Sequence, residues 1–81
     1  MQNLRERGIY TLPDGREFVV HAVFRGGLVF YTPKDWELFR PYACESNADG
    51  EISRKGQATT WRIEDLIDSH RTARARSRSN G

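Results

Sequence analysis

Histidine and cysteine are the side chains that most often bind metals or act as nucleophiles and bases, and this chain has three of them. The histidines are His21 and His70, and the single cysteine is Cys44. A zinc site needs about four ligands at defined spacings, which these three residues do not offer. The sequence therefore predicts no catalytic residue, no metal and no cofactor. A small enzyme or metal protein would require His21, Cys44 and His70 to meet in the folded chain.

Carboxylates cluster once, at Glu64, Asp65 and Asp68. Paired carboxylates can act as general acid and base, but acids at the start of a short helix are also favoured by the helix dipole. We therefore expect a solvated acidic helix face. The glycines also lack the spacing and the Lys-Ser/Thr pair of a phosphate-binding loop. These patterns predict a protein that is not an enzyme.

Aromatic side chains are more numerous than a core this small requires. Small barrels often gather rings beside a loop and bind peptides or bases there. Four rings are candidates for such a partner-binding patch: Tyr31, Trp36, Tyr42 and Trp61. The alternative is that Trp36 and Trp61 close the two ends of the fold as core residues.

Basic charge is concentrated at the C-terminus. Residues 71–81 contain Arg71, Arg74, Arg76 and Arg78 and no acid, whereas residues 1–70 carry 9 basic and 11 acidic side chains. Unopposed arginines bind phosphates electrostatically, which makes these four the candidate phosphate contacts of a nucleic-acid-binding alternative. The segment has no large apolar side chain, so we expect a disordered tail whose role could also be only solubilising.

Three glycine-marked turns organise the first two-thirds of the chain. They are Asp14-Gly15, Gly26-Gly27 and the stretch from Asn47 to Gly50. Glycine supplies the positive φ that tight hairpins need, so we expect antiparallel strands between these turns. Five strands are predicted, at residues 8–12, 16–24, 28–32, 42–45 and 51–55.

Two stretches are ambiguous in sequence. Residues 32–39 could form a helix, because Thr32 can cap it and Pro33 can occupy its first turn, or they could form a loop. Residues 59–68 show apolar side chains at helical spacing in Ile63, Leu66 and Ile67, which predicts a short C-terminal helix. The alternative there is a strand through residues 59–63 followed by one helical turn.

The expected organisation is a flexible N-terminus at residues 1–7, one domain at residues 8–70 and the tail at residues 71–81. The strand number and turn spacing resemble SH3-like barrels, including Tudor-like modules, although the Ala-Leu-Tyr-Asp-Tyr signature of SH3 peptide binding is absent. We therefore expect a mainly β fold: a five-stranded antiparallel meander curled into a partly open barrel, with a short C-terminal helix.

The favoured function is a non-enzymatic module that binds a protein or peptide through the aromatic patch or a sheet edge. Such an edge could also support a homodimer. One cysteine cannot form an internal disulfide, and no apolar stretch approaches the length of a membrane span. We therefore expect a cytoplasmic protein that does not interact with membranes.

Overall fold

The computed structural model of the chain describes residues 4–22 and 27–75. Antiparallel sheet is the main regular structure of this part, and one five-residue helix follows the third strand. The strands are β1 (Gly8–Thr11), β2 (Glu17–Ala22), β3 (Leu28–Tyr31), β4 (Cys44–Ser46), β5 (Glu51–Arg54), β6 (Gln57–Arg62) and β7 (Ile67–Thr72). The helix α1 (Pro33–Glu37) lies between β3 and β4, and a 3₁₀ turn (Ile63–Asp65) separates β6 from β7.

The seven strands form one open sheet in the order β6-β5-β4-β3-β2-β1-β7. Strands β1 to β6 form a meander, and β7 returns to pair with β1. The expectation of a mainly β antiparallel fold is confirmed, but five strands and barrel closure are not what the structure has. Residues 23–26, which include part of the expected Gly26-Gly27 turn, lie outside the described residues.

The sixth strand was only the alternative for residues 59–63 because its turn has a weak sequence signal. Lys55 and Gly56 both have positive φ, at 52° and 81°, and join Arg54 to its cross-strand partner Gln57. Positive φ at both central residues defines a type I′ hairpin, which usually carries Asn-Gly or Gly-Gly. Because lysine occupies the first of these two positions, the turn lacks the residue pair that usually indicates such a hairpin.

The predicted C-terminal helix is wrong, and the alternative of a strand followed by one turn is closer. Strand β6 leads into the 3₁₀ turn, which buries Ile63 and sets Leu66 beside it in the core. Ile67 then points outward, with 56% of its surface exposed. The helical spacing of Ile63, Leu66 and Ile67 thus arises from one 3₁₀ turn and the first residue of β7. The pairing partner of β7 is β1, which lies far away in sequence.

Both faces of the central part of the sheet carry buried apolar side chains. On one face the curled sheet encloses a core of Tyr10, Leu12, Phe18, Val20, Phe30, Cys44, Ile52, Ile63 and Leu66. On the other face α1 covers Ile9, Val19, Val29 and Tyr31 with the side chain of Trp36. Burying each large apolar side chain contributes about 1.5–3 kcal/mol, so both layers matter to stability.

Both chain ends are more structured than expected within the described residues. The guanidinium of Arg5 binds Asp68 at 2.6 Å and also donates to Thr72 Oγ1 at 2.8 Å. Beyond the end of β7, Ala73 continues the pairing by donating its N–H to the carbonyl of Arg7. Residues 5–7 and 71–73 therefore belong to the folded unit, while residues 1–3 and 76–81 lie outside the described residues.

Candidate interaction surface

Three of the four rings singled out in the sequence converge beside α1. The ring of Tyr31 lies 5.1 Å from that of Trp36 and 6.3 Å from that of Tyr42, centroid to centroid, at angles of 75° and 78°. Edge-to-face packing of this kind is the preferred geometry of aromatic pairs. The imidazole of His21 extends the cluster, 5.6 Å from the Trp36 ring. These four rings pack together as one aromatic unit.

The rings of this unit differ in how far they are buried. Trp36 is only 3% exposed, and Tyr31 is buried with it. Tyr42, in contrast, is 46% exposed. The first two rings therefore act as core residues, as the alternative for Trp36 proposed, and Tyr42 alone of the three offers a large surface to a partner.

Trp61 lies elsewhere, against the opposite core. Its ring packs 6.0 Å from that of Phe18, and the guanidinium of Arg16 sits 5.2 Å above it. A cation placed over an indole ring is attracted by the negative face of the ring. Trp61 is thus part of a covered layer on the other side of the sheet and does not join the other three rings.

The local sequence explains why residues 33–37 form a helix and not a loop. Thr32 accepts a hydrogen bond from the Asp35 N–H at 3.1 Å, which satisfies a helix-start donor. Pro33 occupies the first turn, where its missing N–H costs nothing. The helix then places Trp36 over the sheet.

The end of α1 is unusual because its reversing residue is Phe39. The Phe39 N–H donates to the Trp36 carbonyl at 3.4 Å and the Arg40 N–H to the Asp35 carbonyl at 2.9 Å. This is the Schellman arrangement, whose reversing position normally holds glycine because it needs positive φ. Phe39 has φ of 56°. A bulky residue in this region carries a backbone strain of about 1–3 kcal/mol.

This turn exposes large apolar side chains. Leu38 is 50% exposed and Phe39 is 49% exposed, and Tyr42 follows three residues later. We call these three residues the Leu38–Phe39–Tyr42 patch. Leu38 and Phe39 were not among the site residues expected from sequence, although Pro41 close behind them signals the helix end that turns them outward.

Polar contacts fix the rim of the patch. The Tyr42 hydroxyl donates to Glu45 Oε1 at 2.9 Å, and this hydrogen bond to the carboxylate raises the pKa of Tyr42. Arg40 lies 3.6 Å from Asp35 across the turn. Beside Tyr42 lies a groove of about 210 Å³, lined by Tyr42, Ala43, Cys44, Glu45, Ser53, Lys55 and Gly56. The patch therefore adjoins a polar groove that could seat the flanking residues of a partner.

The candidate phosphate-binding arginines have separate environments. Arg71 forms an ion pair with Glu17, so its charge is balanced within the fold. The side chain of Arg74 is exposed, but its carbonyl is held by Trp36. Arg76 and Arg78 lie outside the described residues.

The residues that an enzyme or metal site would need lie apart. His21 faces α1, Cys44 lies in the opposite core, and His70 is exposed on the edge strand β7. Burial raises the pKa of the Cys44 thiol, which keeps it in its unreactive form. Across residues 4–22 and 27–75, no three His, Cys, Asp or Glu side chains are grouped closely enough to hold a metal ion.

The acidic cluster serves structural contacts. Asp65 accepts a hydrogen bond from the Arg62 N–H, and Glu64 lies 3.4 Å from the Arg62 guanidinium. The pKa of Glu64 is lowered, first by a backbone hydrogen bond. Asp68 binds Arg5. Glu64 and Asp65 thus contact Arg62, whereas Asp68 contacts Arg5.

Neither helical segment of the described chain has the length and apolar character needed to cross a membrane. Comparison of the chain with protein-family models, with curated proteins and with solved structures finds no match.

Proposed function

We propose that this chain is a small non-catalytic interaction module that binds a protein or peptide partner through the Leu38–Phe39–Tyr42 patch. Tyr31 and Trp36 would hold the patch in place from below. Single exposed apolar residues are common on protein surfaces, whereas several together usually mark an interaction site. Three large ones fall within five positions here, each close to half exposed.

The observation that carries this proposal is the conformation of Phe39. Its backbone is left-handed, where glycine would complete the same helix cap without strain, and half of its surface is in solvent. The fold thus accepts backbone strain at Phe39, although it buries only part of the Phe39 side chain. Such local strain is typical of functional positions, and aromatic residues are enriched among those that dominate binding energy.

A peptide selection would test the proposal. A random peptide library displayed on phage would be selected against the full chain, and enriched peptides would be measured against variants. The patch variant would combine Leu38→Ser, Phe39→Asn and Tyr42→Ser, with asparagine chosen because it tolerates positive φ. Ile67→Ser is the matched control, because Ile67 is an equally exposed apolar residue on the distant strand β7.

The expected result is a convergent set of peptides that bind the wild-type chain and Ile67→Ser but bind the patch variant at least ~10-fold more weakly, a loss of about 1.4 kcal/mol. Peptides that bind all three proteins equally would contradict the proposal, as would a selection that yields no convergent sequence.

The nucleic-acid alternative predicts a different outcome. Labelled single-stranded RNA and DNA would be titrated with the full chain and with a chain ending at Ala75, which keeps β7 and its contacts. Binding that survives physiological salt and depends on Arg76 and Arg78 would favour that alternative, since phosphate contacts govern such binding. Binding lost with modest salt would leave the patch as the functional surface.

A single buried cysteine supports a reducing compartment, and we place the module in the cytoplasm.

A further inference from the structure

The open sheet has two edge strands, β6 and β7. Unpaired N–H and C=O groups along an edge are a template on which another chain can add a strand. The hazard is real for β7, because it also carries the exposed side chain of Ile67. The structure of these two edge strands therefore affects whether another chain can pair with the sheet.

Strand β7 is interrupted by a bulge. Ile9 pairs with Arg71 while the next residue of β1, Tyr10, pairs with Asp68, so Ser69 and His70 are two additional residues in β7. The Ser69 hydroxyl donates to the Ile9 carbonyl at 2.6 Å and accepts the Arg71 N–H at 3.2 Å. The side chain of Ser69 thus replaces the missing backbone bond.

Strand β6 repeats the arrangement at the opposite edge. Between the pairs Glu51–Arg62 and Ser53–Ala58, β6 also has two additional residues. The Thr59 hydroxyl donates to the Ile52 carbonyl at 2.7 Å and accepts the Trp61 N–H at 3.0 Å. At both edges one hydroxyl therefore closes the bulge by the same pair of hydrogen bonds.

The four inner strand pairs, in the part of the chain that the structure describes, have continuous registers. Bulges twist and bend a strand, and edge bulges are a known means of blocking strand addition. Their restriction to the two pairs that contain an edge strand is what a protective role requires.

We propose that the bulges closed by Thr59 and Ser69 prevent the sheet from adding a further strand. The protein then stays monomeric, and a partner must use side-chain contacts instead of extending the sheet. This inference concerns the sheet edges alone and stands whether or not the Leu38–Phe39–Tyr42 patch binds a partner.

Deleting Ser69 and His70 would test the proposal directly. Removing two residues preserves the alternation of side chains between faces, so Arg71 and Thr72 keep their orientation while β7 becomes continuous. Size-exclusion chromatography with light scattering, at submillimolar concentration, would compare this variant with the wild-type chain. We expect a monomeric wild type and a variant that forms dimers or larger species.

Two double variants complete the design. The double variant Thr59→Ala with Ser69→Ala removes both hydroxyls without changing chain length and should self-associate with rising concentration. Thr59→Ser with Ser69→Thr keeps both hydroxyls and should stay monomeric. Circular dichroism would confirm the fold of each, and if the deletion variant is unfolded the double alanine variant decides.

The proposal is overturned by a folded variant that lacks the β7 bulge, or a folded variant that lacks both hydroxyls, and that remains monomeric. It is also overturned by a wild-type chain that dimerises through β7, detected as concentration-dependent protection of residues 67–72 from hydrogen exchange.

Discussion

The indole nitrogen of Trp36 donates a hydrogen bond to the main-chain carbonyl of Arg74, across 2.8 Å and 38 positions of sequence. The neighbouring residue, Ala73, is held in turn by Arg7, whose guanidinium donates to the Ala73 carbonyl at 2.7 Å. The segment after β7 is thus tied both to Arg7, just before β1, and to α1. The helix that positions the exposed patch is therefore stabilised by the C-terminal end of the folded unit.

Replacing Trp36 with Phe should destabilise the protein by about 1–3 kcal/mol, because it removes this hydrogen bond and part of a buried ring. A chain ending at Thr72 removes the acceptor instead. Urea denaturation of the two single changes and of their combination would measure the coupling. Because both remove the same bond, the combined loss should be smaller than the sum, and strictly additive losses would show that the contact contributes nothing.

Replacing Phe39 with Gly should stabilise the fold by about 0.5–1 kcal/mol while weakening peptide binding, because glycine adopts positive φ without strain. Phe39→Ala is the control, since alanine removes the ring but keeps the unfavourable backbone. Urea denaturation would give the free energies of unfolding. A Phe39→Gly chain less stable than Phe39→Ala would mean that the backbone at this position is not strained.

The contact between Arg5 and Asp68 should make stability depend on pH in the acid range. The hydrogen bond from Arg5, followed by one from the His70 N–H, lowers the pKa of Asp68 from its ordinary value of 3.8. A carboxylate with a depressed pKa in the folded state stabilises the fold fully above its ordinary pKa and loses this effect as the pH falls through the folded-state value.

Urea midpoints of wild type and Asp68→Asn should therefore differ above pH 3.8 and converge in stronger acid. Arg5→Gln removes the same contact and should show its loss of stability in the same pH window. A difference that persists unchanged into strong acid would mean that the carboxylate charge of Asp68 is not what stabilises this contact.

Cys44 should react slowly with iodoacetamide at neutral pH, because its thiol is buried and its pKa is raised by that burial. Labelling followed by mass spectrometry should be at least ~10-fold slower in buffer than in denaturing urea. Comparable rates under the two conditions would show that the core around Cys44 opens readily.

Local sequence was sufficient for most of the meander. Asp14-Gly15 and the turn from Asn47 to Gly50 have the residues that hairpins require, and the strands between them follow. The start of α1 is equally local, since Thr32 caps the helix and Pro33 occupies its first turn. The aromatic grouping of Tyr31, Trp36 and Tyr42 was anticipated in part, because these residues fall close together in the chain.

Tertiary structure alone decided what residues 67–75 do. Strand β7 forms because β1 offers it an edge, and the contact from Ser69 to Ile9 joins residues 60 positions apart, beyond the reach of any local pattern. The same long-range pairing moved Arg71 from the expected tail into the sheet and anchored Arg74 beside Trp36. Short-range propensities and turn residues determine the hairpins. Long-range packing of the sheet decides three other features: the closing strand β7, the separation of Trp61 from the other rings, and the exposure of Phe39.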